Sequence, residues 1–170
     1  MLAEQICETF NRCFARFHTK LVGGASEPFY EPGEPIARVY FREDYVSSAL
    51  HEIAHWCIAG ADRRQQPDYG YWYRNRRDIK QQRTFETVEV KPQALEWIFS
   101  VAAGVDFRVS SDNFDDSTLD TDGFSAEVHA AVIPWLNNLP PRAEQFIRAL
   151  VAQTGNQQAL TSDTYKEPPK

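Results

Sequence analysis

The 170-residue chain has no run approaching the roughly 18 uninterrupted apolar residues of a membrane span, and its first twenty residues are a polar-studded amphipathic stretch, not a signal sequence. A soluble, unexported protein is expected. Cysteine is scarce: Cys7, Cys13 and Cys57 are odd in number and lack metal-knuckle spacing, which excludes a disulfide framework and fits a reducing, cytoplasmic setting. Excess positive charge is also missing. With 18 Lys+Arg against 24 Asp+Glu, the formal charge is -6 and the pI near 5.2, which excludes a general nucleic-acid coat or polybasic membrane binder. No internal repeat is visible. What the chain does have is 42% hydrophobic and 13% aromatic residues, enough for one core, expected as a single catalytic domain over 1–155. The polar stretch 156–170, closing with Pro168 and Pro169, is expected to be a mobile tail.

Apolar residues at Leu2, Ile6, Phe10, Phe14, Phe17 and Leu21 predict one opening amphipathic helix that stops at Gly23-Gly24. After a turn-rich segment with Pro28, Pro32, Gly33 and Pro35, the run Ile36 to Phe41 predicts a short strand. A second helix follows from Tyr45, with Val46, Ala49, Leu50, Ile53 and Cys57 on one face, Asp44 or Ser47 as cap and Gly60 as stop. A third runs through Ala94, Leu95, Ile98, Phe99 and Ala102 to Gly104, with Pro92 in its first turn or at a kink. Residues 106–123 hold six aspartates and predict a solvated loop. Two further helices are predicted, from Phe124 to about Asn137 and from Pro141 to Ala152, with Gly155 as the C-cap of the second.

The second helix contains His51-Glu52-Ile53-Ala54-His55, an HExxH motif. Residues four apart on a helix lie ~40° apart around the axis, so both imidazoles can share a metal ion. Four His and thirteen Glu in the chain make such a match by chance on the order of 0.01. Metal binding is therefore favoured over two ordinary helix histidines. His18 and His129 lie among apolar stripes that explain them without a metal. Carboxylates are better third ligands: Glu86, Glu89 and Glu96 share one side of a helical segment. Glu89, flanked by Val88 and Val90, is preferred over Glu96, between Leu95 and Trp97, and over Glu86.

Two His and one carboxylate leave open positions on a six-coordinate Fe(II), as in non-haem oxygenases, whereas tetrahedral Zn(II) would hold a hydrolytic water, with Glu52 as its base. Ligand type alone does not separate these readings. His-x-Asp/Glu, the spacing common in jelly-roll oxygenases, is absent. Cys57 points about 200° away from His55 around the helix and reads as a buried small hydrophobe. Between Arg63 and Arg83 seven basic residues face only Asp68 and Asp78, alongside Tyr69, Tyr71, Trp72 and Tyr73. This locally basic, aromatic segment favours an anionic partner over a small neutral molecule, or is simply a solvated loop.

The strings His51-Glu52-Ile53-Ala54-His55-Trp56-Cys57-Ile58-Ala59-Gly60, Asp68-Tyr69-Gly70-Tyr71-Trp72-Tyr73, Val88-Glu89-Val90-Lys91-Pro92-Gln93-Ala94-Leu95 and Val101-Ala102-Ala103-Gly104 resemble the bacterial elongation factor P hydroxylase family. The resemblance extends to about Gln153. It implies a helix-rich α+β single domain with a small β-sheet, similar to a bacterial metal-dependent endoribonuclease fold and unlike a jelly roll. It implies a non-haem iron monooxygenase-type enzyme that hydroxylates elongation factor P on a lysine already carrying a β-lysyl group. It places the metal on His51, His55 and Glu89, with Glu52 matching the family string in a less defined catalytic role. Fe(II) is the implied metal, Zn(II) or another divalent ion a possible occupant of purified protein. Nothing in the sequence identifies the electron-donating cosubstrate. The implied partner is elongation factor P, docked through Tyr69 to Arg83; neither a membrane nor a nucleic acid is expected as a partner. Zinc metallopeptidase and metal-dependent ribonuclease are the competing readings. Replacing Arg74, Arg76 and Arg77 by Ala is expected to weaken binding of the factor and flatten its salt dependence.

Overall fold

The computed structural model describes residues 1–70, 79–110 and 121–169, with residues 79–86 and 121–122 described by backbone alone. Helix α1 spans Ala3–Cys13 and is followed by a 3-10 turn at Ala15–Phe17. Strands β1 (Thr19–Ala25), β2 (Phe29–Glu31) and β3 (Ala37–Arg42) precede α2 (Val46–Ile58). Two 3-10 turns, Arg63–Gln65 and Pro67–Gly70, lead toward α3 (Ile79–Ala103). Helices α4 (Thr121–Asn137) and α5 (Pro141–Thr154) follow, then 3-10 turns at Gln157–Leu160 and Ser162–Tyr165. The architecture is helix-rich α+β.

The opening helix ends at Cys13, eight residues short of Leu21. His18 adopts a left-handed conformation (φ 49°) that turns the chain, and beyond it Thr19 and Leu21 are buried while Lys20 is exposed. The spacing of Phe14, Phe17 and Leu21 suits a helix, but parallel pairing of β1 with β3 decides the outcome. The Asn11 side chain accepts from the Leu21 amide at 2.9 Å and anchors the strand to α1. The sheet has order β1-β3-β2, with Leu21 beside Val39 in parallel register and Tyr30 opposite Val39 in antiparallel register. The expected strand at 36–41 is β3, displaced by one residue. At Gly23 a side chain would meet the Phe41 ring at 2.7 Å and the Glu43 carbonyl at 3.0 Å, so only glycine admits this approach.

The inner sheet face (Leu21, Tyr30, Val39, Phe41) packs on α1 and α2, and α2 is buried between the sheet and α3. Phe10, Phe14, Trp56 and Phe146 tie α1, α2 and α5 together through edge and tilted ring contacts at 4.7–6.3 Å. Neither Asp44 nor Ser47 caps α2; Tyr45 occupies that position without a side-chain bond. The other end is held from afar. Arg142 donates through Nη2 to the carbonyls of Trp56, Cys57 and Ala59 at 3.2, 3.0 and 2.6 Å, and Arg64 adds a bond to Ala59 at 2.8 Å. These cations satisfy carbonyls that have no partner within the helix.

Helix α3 is longer than expected and carries Pro92 in its interior, where the missing N–H leaves the Val88 carbonyl without its usual partner. Trp135 of α4 donates to the Lys91 carbonyl at 2.9 Å, beside this interruption. Gln93 clamps the irregular segment after α3 by donating to and accepting from the Ser110 backbone at 2.6 and 3.0 Å. The rest of the aspartate-rich loop, residues 111–120, lies outside the described residues. Gly155 ends α5 in the left-handed region (φ 78°), as expected.

The expected mobile tail is instead packed from 157 to 165. Tyr165 is buried, donates to the Ala159 carbonyl at 2.9 Å and meets Trp97 edge-on at 5.0 Å, while His129 donates to the Tyr165 carbonyl at 2.7 Å. One aromatic anchor in an otherwise polar segment suffices to dock it. Among the described residues no helix is long and apolar enough to cross a membrane.

Candidate metal centre

The core-facing residues of α2, Ala49, Leu50, Ile53, Trp56 and Cys57, fix how the helix is rolled, and that roll turns His51 and His55 toward α3. Their Nε2 atoms stand 3.1 Å apart. From α3, Glu89 and Glu96 project toward the same pair; their seven-residue spacing is about two helical turns, so both meet α2 from one face. Glu89 Oε2 lies 3.3 Å from His51 Nε2 and 3.3 Å from His55 Nε2. Glu96 reaches the opposite nitrogen of His51, its Oε2 2.8 Å from Nδ1. Glu89 and Glu96 are 3% and 6% exposed, values that solvated surface carboxylates do not show.

This donor set fits a divalent ion. Ligand atoms bonded at ~2.1 Å to one ion, at octahedral to tetrahedral angles, stand about 3.0–3.4 Å apart, and the three atoms here are separated by 3.1, 3.3 and 3.3 Å. Glu89 Oε2 is also buried without a hydrogen bond among the described residues, an orphaned acceptor at the centre of the cluster. His51, His55 and Glu89 form the group of His, Cys and acidic side chains placed to hold a metal among those residues.

The electrostatics follow from burial and contact. Burial works against a charged His51, but the nearby Glu89 carboxylate and the Glu96 carboxylate on its Nδ1 outweigh it and hold its pKa well above the ordinary value. Burial likewise resists ionisation of Glu89, and His55 and His51 overcome it, keeping this carboxyl far below the usual carboxylate range. For Glu96 burial prevails over the His51 contact and its pKa is raised. Glu52, beside His51 on α2, is raised by burial too, with the nearby histidines opposing.

Of the expected site residues, the structure thus brings His51, His55 and Glu89 into one cluster and puts Glu96 behind His51, on the nitrogen away from the cluster. The side chain of Glu86 lies outside the described residues, as do Tyr71 to Asp78 and the side chains of the basic segment through Arg83. Tyr69 is described: it is buried, stacks on Tyr30 at 4.4 Å and lies near-parallel to His55 at 6.4 Å. It is core filling along one side of the centre. Asp68 and Tyr69 are both left-handed (φ 46° and 56°), a costly backbone for such residues, held by the Tyr30 amide donating to Asp68 at 2.7 Å. Cys57 is buried, and burial raises its thiol pKa. His18 sits at the left-handed turn before β1, and His129 lies on α4, bonded to the Tyr165 carbonyl of the C-terminal turn. The positioning contact of Glu96 was missed by sequence reasoning, although its spacing from Glu89 was available. Arg142 carried no sequence cue.

The elongation factor P hydroxylase family matches residues 9–165 of the chain. This chain belongs to the elongation factor P hydroxylase family. A relative from Haemophilus influenzae, elongation factor P lysine hydroxylase, is 46% identical over 155 residues, covering 88% of this chain and 87% of its own length. The span matched to the elongation factor P hydroxylase family contains α2 and α3 entire, and hence the whole cluster. It also reaches Tyr165, so the docked C-terminal turns lie inside the family's common region.

Proposed function

We propose that this chain is a protein-lysine hydroxylase whose substrate is elongation factor P carrying a β-lysyl-lysine. The observation that carries the reading is the convergence of two imidazole nitrogens and one buried, otherwise unpartnered carboxylate oxygen in a chain of this family. His51, His55 and Glu89 would hold a divalent metal, Fe(II) in this reading, which when bound supplies activation of dioxygen for hydroxylation. The cosubstrate that delivers electrons is not specified by these residues.

The chain's own side chains have separable tasks. Glu96 accepts the Nδ1 proton of His51, which fixes the ring and leaves Nε2 as the lone-pair donor. Glu89 contributes the negative charge that offsets a divalent cation in a buried setting. Glu52, with its pKa raised by burial, holds or passes a proton beside the ligands and is not one of them. The anionic ligand and two neutral ligands leave positions free, in contrast to a closed structural site of four protein ligands.

The deciding experiment is intact-mass analysis of elongation factor P from cells lacking this protein, re-supplied with the native chain or with His51→Ala. The expected result is a gain of one oxygen on the β-lysylated factor with the native chain alone. No oxygen with either chain, despite confirmed β-lysylation and a metal-loaded protein, would sink the hydroxylase reading and restore peptidase and ribonuclease chemistry as the alternatives.

A further inference from the structure

The sheet face turned away from α1 and α2 carries groups that the metal centre does not use. Lys20, Glu31, Arg38 and Arg42 point outward and are exposed, with Val22, Phe29 and Tyr40 between them. The register aligns Glu31, Arg38 and Lys20 in one row, and Phe29, Tyr40 and Val22 in the next. Phe29 and Tyr40 stack at 4.2 Å and 17°, and Phe29 remains 39% exposed. Among the described residues Arg38 has one carboxylate partner, Glu31 at 3.5 Å, and neither Lys20 nor Arg42 has any.

Two features set this face apart from an ordinary solvated surface. Lys20 and Arg38 are adjacent across the β1–β3 pair, where like charges oppose sheet stability. Three cations against one carboxylate also invert the sign of a chain whose net charge is -6. An exposed aromatic centre framed by charge has the make-up of a protein-binding patch.

We propose that this outer sheet face docks an acidic surface patch of the protein whose lysine is hydroxylated, an inference that rests on the hydroxylase reading. Lysine side chains are common to nearly all proteins, so selecting one protein requires contacts away from the reacting carbon. The face lies across the sheet from α2 and so serves affinity and orientation without touching the metal ligands. A single-stranded nucleic acid is the weaker match. The two rings spend their facing surfaces on each other, three cations are few for a polyanion, and the remaining chain is acidic.

The test measures binding of β-lysylated elongation factor P at low and moderate salt to the native chain, to the triple variant Lys20→Glu/Arg38→Glu/Arg42→Glu, and to Glu31→Lys. Single-stranded RNA serves as a second probe, and turnover is followed by intact mass. The triple variant is expected to raise Kd and KM for the factor about tenfold, flatten the salt dependence and leave kcat unchanged. Glu31→Lys is expected to tighten binding about twofold at low salt, so it decides the matter even if the triple variant fails to fold. Unchanged affinity and salt slope in the folded variants overturns the docking surface, and so does face-dependent binding of RNA without that of the factor. A native chain that binds the factor through this face yet adds no oxygen leaves docking intact and removes the hydroxylase reading.

Discussion

At His51 a metal held in the proposed site would compete with a proton for Nε2. In the metal-free protein, Glu89 and Glu96 hold the imidazole protonated to higher pH than an exposed histidine, whereas a metal ligand must be neutral. Metal binding near neutral pH is thus expected to release about one proton, with affinity rising as pH increases. Calorimetry in buffers of different ionisation enthalpy reads the proton count directly; no release would remove His51 from the ligand set. The same shifts set the stability of the metal-free chain. His51, raised from 6.5, contributes fully below that pH and loses its contribution as pH climbs through the folded value; Glu89, lowered from 4.5, contributes above 4.5 and loses it on acidification. Denaturant midpoints of chelated protein should therefore be highest between about pH 4.5 and 6.5 with respect to this pair. At Glu96, replacement by Gln retains an acceptor but removes its charge. Metal affinity, measured by competition with a chromophoric chelator, is expected to fall about tenfold, whereas Glu89→Ala should abolish tight binding.

The elements matter because the cluster is divided between two helices, each held by contacts remote in sequence. Arg142 of α5 closes three carbonyls at the end of α2, two turns beyond His51. Arg142→Ala leaves them unpaired, and a loss of about 2 kcal/mol is expected in urea unfolding. Lys at this position restores charge without the planar fork and should recover only part of the loss. Legibility in the sequence also varied by element. Helix α2 was legible because its apolar period and its motif agreed, and α5 because Pro141 and Gly155 punctuate both ends. The opening segment was misread where Phe14, Phe17 and Leu21 satisfy a helical period yet belong to a turn and a strand. The four-residue step from Phe17 to Leu21 fits a helical face and a strand face alike, and only pairing with β3, sixteen or more residues downstream, separates them.

Over the whole molecule, the C-terminal turns close the end of the α3–α4 layer through Tyr165, Trp97 and His129. Tyr165→Ala removes a buried ring and its bond to Ala159, and is expected to cost about 3 kcal/mol, read as a lowered denaturant midpoint. Deleting residues 156–170 should do at least as much; an unshifted midpoint would return this segment to the status of a detached tail. Occupancy of the proposed site would act at the same scale, because an ion bound by folded α2 and α3 would favour the native state by mass action. Chelation is expected to lower Tm of the native chain and to leave His51→Ala unmoved.

The sequence by itself determined which chemistry is available: HExxH on an apolar-periodic helix brings two imidazoles to one side, and the strings around it carry the family resemblance. Those features are local, set by 3.6-residue periodicity and nearest neighbours. The flanks of Glu89 also favoured it over Glu86 and Glu96 as the carboxylate that meets the imidazoles, but that Glu96 stands behind His51, and which cations close α2, were decided by tertiary structure alone. Spacing puts Glu89 and Glu96 on one helical face, but the rotation and height of α3 against α2 assign their separate positions, and those depend on how the whole core packs.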